Sequence, residues 1–305
     1  GIQPDLAMVF DGGSYNFLNH FEGLQANVPL VLDLIAHHKI AEEYCGPKAL
    51  MTIWPSNDVL KGALGCDIGS IAIGPSVASS ALDFVVKLGA RPVILAGLDL
   101  AYTNGRTHAA GTHAASTVDA RYNYDLSRLP AQELLGAIAA DGSAVKTSPS
   151  MLTFRHWFEE YIGRLQNVRI INSSEGGLAI AGTETMDLES ALGEFCGPDR
   201  REQLQALRTV LTQPPAYNIA ALSKYLRAVR LACRQLRMQS RKSGINWAVE
   251  IQKPLHALIG FGLQIAWDYI QLGAGEDVIR MEIERAANYT LPLLDETIDC
   301  LEAGS

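Results

Sequence analysis

The sequence is poor in the features that place a chain in a membrane or on nucleic acid. No apolar run reaches the roughly 18 residues needed to cross a bilayer. Even 251–270 is broken by Lys253, Pro254, His256 and Asp268. No basic segment followed by an apolar stretch marks a secretory leader. Lys and Arg number 25 against 33 Asp and Glu, a net charge of −8, whereas a general nucleic-acid binder carries a basic excess to neutralise phosphates. The one basic stretch, Arg227 to Lys242, reads as the solvated face of a helix. No nucleic acid and no membrane span are therefore expected. The five cysteines (Cys45, Cys66, Cys196, Cys233, Cys300) are odd in number and scattered, and none has the CxxC or Cys/His spacing of a zinc site. Free thiols suit a reducing compartment and predict a cytoplasmic protein.

Several nucleotide and hydrolase signatures are absent as well. There is no G-x-x-x-x-G-K-[ST] loop of a P-loop kinase, and no G-x-G-x-x-G follows a strand. A G-x-S-x-G elbow is missing, which argues against an α/β-hydrolase. No D-x-D pair is present to hold a sugar nucleotide through a divalent metal.

What is present is a chain of 305 residues, 48% hydrophobic and 19% charged. That balance builds a core rather than a disordered chain, and the length suits one large or two modest domains. The chain opens at Gly1 rather than Met, in what reads as a loop, so an upstream segment is expected to be missing. Leu6–Phe10, Leu30–Leu34, Ala49–Ile53, Ser70–Ile73, Val93–Gly97 and Val168–Ile171 are short, apolar and bounded by Gly, Pro, Asp or Asn. Continuous apolar runs of this length suit strands buried on both faces of a parallel sheet. Between them Val77, Ala78, Ala81, Leu82, Val85 and Val86 recur at helical spacing, with Pro75 as a first-turn residue and Gly89 as the stop. From Arg200 to Leu301 no strand is expected. There Leu222, Leu226, Val229, Cys233 and Leu236 keep a three/four spacing, and Pro214, Gly244, Pro254 and Gly273–Gly275 divide four or five helices. The predicted fold is α/β: a Rossmann-like, mostly parallel sheet flanked by helices over residues 1–193, followed by an all-α domain over 194–305.

Ligands of open parallel sheets bind beyond the carboxyl ends of the strands. The polar residues at those ends are Asp11, Gly12 and Gly13; Trp54 to Asn57; Asp99, Tyr102, Asn104, Gly105, Thr107 and His108 after Gly97; and Asn172, Ser174, Glu175, Gly176 and Gly177. The 99–108 stretch is the densest, with a carboxylate, phenol, amide, hydroxyl and imidazole around an Asn-Gly turn. His108 lies among small residues and is accessible, with His113 close behind. Two histidines and Asp99 are too few to define a metal site, and none is expected. Gly74-Pro75-Ser76 presents backbone N–H groups to an anion or simply starts a helix.

The run Val93 to His108, with Gly-x-Asp-Leu-Ala-Tyr, a turn and then Thr-His-x-x-Gly-Thr, resembles the motility-associated factor (Maf) family of bacterial flagellin glycosyltransferases. Residues 1–11, the helix from Ser76 into Leu88–Ala90, Lys146-Thr-Ser, Phe154 to Glu159 and Asn172 to Gly182 resemble that family's other landmarks in the same order. The likeness covers roughly residues 1–193. It implies a sialyltransferase-like domain that moves a nonulosonic acid (sialic, pseudaminic or legionaminic type) from a CMP-activated donor to Ser or Thr of flagellin. The family's Gly-Pro-Ser type loop lies before the point where this chain begins. Gly74-Pro75-Ser76 is not equated with it.

Such a transfer requires deprotonation of the acceptor hydroxyl and charge stabilisation on the leaving phosphate. His108 is the candidate general base or acid. Asp99 and Asp11 would orient it, accept a proton or offset charge at the anomeric carbon. Tyr102 and Thr107 would donate to the phosphate. Asn172 and Glu175, with Gly176-Gly177, would hold ribose or cytosine, and Gly12, Ser76, Gly97, Asn104, Gly105 and Ser174 complete the candidate nucleotide site. No cofactor beyond the CMP-sugar donor is expected, and flagellin is the implied partner. Two alternatives stand beside this reading. One is a transferase like 6-hydroxymethylpterin diphosphokinase, which needs ATP, magnesium and clustered carboxylates. The other is a non-catalytic flagellin-docking protein.

Overall fold

A computed structural model describes residues 4–33, 35–51, 61, 69–106, 134–196, 201–212, 219–242, 244–247 and 275–303. The chain divides into two compact units, Gly1–Met51 with Ile71–Gln213, and Thr52–Ser70 with Pro214–Ser305.

The first unit opens with a β-α-β-α-β run: β1 (Ala7–Val9), α1 (Ser14–His20), β2 (Leu30–Asp33), α2 (His38–Glu43) and β3 (Lys48–Met51). The three strands form one parallel sheet in sequence order, with Leu30 opposite Ala7 and Lys48. All four residues of the central β2 are buried, which is why its sequence is apolar without alternation. Val9, Phe17, Leu30, Leu32, Ile40 and Tyr44 make the local core.

A second parallel sheet follows. Helix α3 (Val77–Lys87) leads into β4 (Val93–Leu95). The hairpin β5 (Leu135–Ile138) and β6 (Ala144–Thr147), helix α4 (Pro149–Arg164), β7 (Ile170–Asn172) and β8 (Glu184–Thr185) come after it. The order is β4-β7-β8, all parallel, and the hairpin is a separate antiparallel pair. Leu82, Phe158, Ile162, Ile170, Leu178 and Ile180 are the heart of its core. The α/β class is as expected. The hairpin and β8 are additions to the expected strands, and Ile71 forms only an isolated bridge where a strand was expected. At α3 the N-cap is Ser76, in a reciprocal capping box with Ser79, so Pro75 sits before the helix rather than in its first turn. Gly89, at φ 86°, ends the helix as expected.

Helices α5 (Leu188–Phe195) and α6 (Arg201–Thr212) complete the first unit. The sequence reading assigns α6 to the C-terminal domain, but here it packs near β3 and Arg208 pairs with Asp5 at 3.2 Å. The second unit is built on α7 (Ile219–Gln239) and α8 (Glu276–Ala303), packed antiparallel. Leu226, Val229, Cys233 and Leu236 pack with Ile283, Ala287, Leu294 and Ile298, the stripe that the three/four spacing marked. The basic stretch is not simply solvated. Arg230 and Arg234 reach Asp295, Arg237 reaches Asn288 and Arg241 reaches Glu284, so it faces acidic and polar groups of α8. No described helix is long and apolar enough to cross a membrane.

One buried polar group ties the second sheet's helices together. Asp83 of α3 is only 4% exposed. Its carboxylate accepts from Lys87 Nζ (2.7 Å), the Ala72 N–H (2.6 Å) and the Tyr161 hydroxyl of α4 (2.7 Å). Burial alone would raise this carboxyl, but those hydrogen bonds outweigh it and hold the group below the ordinary carboxylate range. Tyr161 is pushed up, by burial first and then by Asp83.

Two outcomes follow from this packing. Asp83→Asn should cost about 1.5–3 kcal/mol of stability, toward the lower end because Lys87 is half exposed. A carboxyl depressed in the folded state stabilises fully above its unfolded value of about 3.9 and loses that contribution as pH falls through the folded value. Denaturation of both proteins at pH 7 and pH 3 should therefore show a gap that narrows at low pH; an equal gap at both would refute the account. In the second unit Cys233 is fully buried, and burial pushes its thiol up to about 11. Among the described cysteines, Cys45, Cys196 and Cys300 are exposed and should react with a thiol reagent in the native protein. Peptide mapping should find Cys233 labelled only after unfolding.

Candidate functional site

The carboxyl ends of β4 and β7 continue as two loops stitched to each other. Parallel pairing sets Leu95 opposite Asn172. Past the strands, the Ser173 N–H donates to the Leu95 carbonyl (2.8 Å) and the Leu98 N–H donates to Ser174 Oγ (2.8 Å). Further out the Leu178 N–H donates to the Asp99 carbonyl (2.7 Å), and Thr103 Oγ1 donates to the Gly176 carbonyl (3.1 Å). On its other side the 99–106 loop is held by β6: the Tyr102 N–H donates to the Lys146 carbonyl and Thr147 Oγ1 donates to the Leu100 carbonyl. The hairpin turn also reaches the second loop, through the Ala140 N–H and the Gly177 carbonyl.

This closeness explains two of the glycines. A Cβ at Gly177 would lie 2.7 Å from Asp99 Cα, and one at Gly176, at φ 76°, would lie 2.6 Å from Thr103 Cγ2. The 97–105 loop also turns through left-handed backbone at Gly97, Leu100, Asn104 and Gly105. Leucine is not a residue that favours φ 51°. Such backbone is held by its surroundings, here Thr147 and the burial of the Leu100 side chain.

Asp99, Tyr102, Asn104, Gly105, Gly97, Asn172, Ser174, Glu175, Gly176 and Gly177 thus lie on one pair of loops. Their polar groups are not equally available. Asn172 is 2% exposed and closes its own loop, donating to the Leu178 carbonyl and accepting from the Ser174 N–H. Ser174 Oγ serves Leu98. By contrast, the half-buried Asp99 carboxylate and the Tyr102 hydroxyl have no hydrogen-bond partner among the described residues, and Glu175 is exposed. Ser76 is occupied as the cap of α3. Its segment is fixed from behind: Ser80 Oγ donates to the Ala72 carbonyl, Trp157 Nε1 donates to the Ile73 carbonyl, and Gly74 packs against Ser79 and Trp157.

Asp11 and Gly12 stand at the end of β1 in the other sheet, and among the described residues no hydrogen bond links them to the loops after β4 and β7. Asp11 Oδ1 accepts from the Gly13 N–H, and its carbonyl accepts from Asn16 Nδ2 and the His37 N–H. Gly12 lies against the Ile35 carbonyl. Asp33, buried at the end of β2, accepts from the Ile35 N–H and went unnoticed in sequence because it completes an apolar run. His108, Thr107 and His113, like Trp54 to Asn57, lie outside the described residues. Among the described residues no group of three His, Cys, Asp or Glu has a metal-holding arrangement.

Gly177→Ala should lower stability by about 1–3 kcal/mol, because the added methyl meets backbone that cannot swing aside. Gly105→Ala has open space around the new Cβ but forces a positive φ. Backbone amide shifts should therefore spread to residues 98–100 for Gly177→Ala and stay within the turn for Gly105→Ala. NMR chemical-shift mapping distinguishes the two.

A family model described as MptE-like, 6-hydroxymethylpterin diphosphokinase MptE-like, matches residues 1–105. No curated protein matches the chain. Among solved structures, a Maf glycosyltransferase from Magnetospirillum magneticum AMB-1 is similar at 16% identity with a TM-score of 0.50, over 99% of this chain and 50% of that one. The chain thus spans half the length of the structure it matches. The α/β fold is that of a Maf glycosyltransferase.

Proposed function

We propose that the chain is the nucleotide-binding portion of a glycosyltransferase, and that it carries a nonulosonic acid from a CMP-activated donor to Ser or Thr of flagellin in the cytoplasm. The observation that carries this reading is the joining of the two motif loops, 97–105 and 172–178, at the carboxyl ends of paired parallel strands, the place where such sheets bind ligands. The fold match to a Maf glycosyltransferase over nearly the whole chain supports it.

The reaction breaks the bond between the donor's anomeric carbon and the phosphate oxygen and forms one to the acceptor hydroxyl oxygen. The hydroxyl proton must leave, and CMP departs with its negative charge. Asp99, half-buried with an unpartnered carboxylate, is suited to take up that proton or to stabilise positive charge at the anomeric carbon. The Tyr102 hydroxyl is free to donate to the departing phosphate. His108 keeps the role of general base or acid proposed for it, as Thr107 keeps that of phosphate donor. Asp11 and Gly12 are proposed as contributors from the first sheet. Asn172, Ser174 and the two glycines act mainly by shaping the loops, because the two side chains and both glycine carbonyls are hydrogen-bonded within them.

The match of residues 1–105 to the diphosphokinase-like family favours a second reading, pyrophosphoryl transfer from ATP to a pterin. Co-expression of the intact protein with flagellin, followed by mass analysis of the flagellin, tests the first. Asp99→Ala should reduce modification by at least 10²-fold while leaving the thermal midpoint within about 2 °C. Near-normal modification would remove Asp99 from the reaction. Stabilisation by ATP and a pterin but not by cytidine nucleotides would favour the second reading.

A further inference from the structure

At the end of β7 three consecutive polar residues are buried: Asn172 at 2%, Ser173 at 5% and Ser174 at 6% exposure. The outer two are accounted for. Asn172 bonds Leu178 and Ser174, and Ser174 Oγ accepts from Leu98. Among the described residues Ser173 is tied only through its backbone, by its N–H to the Leu95 carbonyl, and its buried hydroxyl has no hydrogen-bond partner. Native proteins rarely leave such a group unmet, because burying an unpaired hydroxyl opposes folding. The Ser173 hydroxyl forms none of the bonds that join the two loops.

Resting on the reading above, we propose that Ser173 is a ligand-contact residue, its hydroxyl hydrogen-bonding the CMP portion of the donor. Three observations converge on it. The residue lies at the carboxyl end of a parallel strand, where ligands of such sheets bind. It stands level with Leu95 and Ala96, so it is next to the turn into Gly97 and Asp99. Its neighbours on both sides are locked, so the hydroxyl is held in place before any ligand arrives, and binding costs little ordering. The hydroxyl oxygen is covered in the free chain, so the nucleotide displaces what covers it as it binds.

The test is titration calorimetry of CMP against the intact protein and Ser173→Ala, with thermal midpoints recorded for both without ligand. The expected result is at least a tenfold weaker Kd for the variant, with a midpoint unchanged or raised, because the deleted hydroxyl has no partner to lose. CMP binding within twofold of the parent would overturn the proposal while leaving the donor reading intact. A parent protein that binds no cytidine nucleotide would overturn both. Should Ser173→Ala lower the midpoint, Ser173→Cys, which preserves volume with a poorer donor, carries the same comparison.

Discussion

The ladder between β4 and β7 does not stop with the strands. It continues from the Leu95 carbonyl to Ser173, from Leu98 to Ser174 Oγ and from Asp99 to Leu178, so the two loops are registered by the same pairing that registers the sheet. Everything polar at the candidate site depends on that register. A slip of one residue would set Asn172 in the place of the buried Ile171 and break the bonds that Leu95 and Leu98 make to Ser173 and Ser174. Asp99 and Tyr102 can therefore sit on a loop whose backbone is still held in place.

The surrounding elements support this pairing from several directions. The hairpin β5–β6 braces the 99–106 loop through Lys146 and Thr147, and its turn reaches Gly177. Behind the sheet, Asp83 joins α3 to α4 through Tyr161 and holds the 72–76 segment that enters α3. The carboxylate stays charged in the interior because three donors converge on it. Among the described residues the Asp99 carboxylate and the Tyr102 hydroxyl, both proposed for the chemistry, have no such partners. Asp83, Asn172 and Ser174 thus hold the framework, while Asp99 and Tyr102 keep the open groups that the proposed binding site needs.

The expected strands were legible where burial on both faces makes a continuous apolar run, as in β1, β2, β4 and β7. The hairpin was not, because Leu135–Ile138 contains Gly136, lacks clear alternation, and is held by residues far along the chain. Nor was β8, two exposed residues that pair with β7 beside the Arg169–Glu184 ion pair. The stripe of α7 was readable as a core face. The basic residues beside it were read as solvated, because the acidic and polar residues they also meet are roughly 40 to 65 positions away on α8.

The α/β-then-helical order, the strand ends and the identity of the polar loops were determined by the amino-acid sequence alone, since periodicity and composition act over a few neighbours. Which of those polar atoms are used within the framework, and which remain open, was decided only by tertiary structure. Asn172, Ser173 and Ser174 are chemically alike in a string of letters. They differ because Leu98, 76 residues before Ser174, donates to one hydroxyl while none of the described residues bonds the other. Hydrogen-bond satisfaction of a buried group is settled by partners distant in sequence, and local pattern carries no record of them.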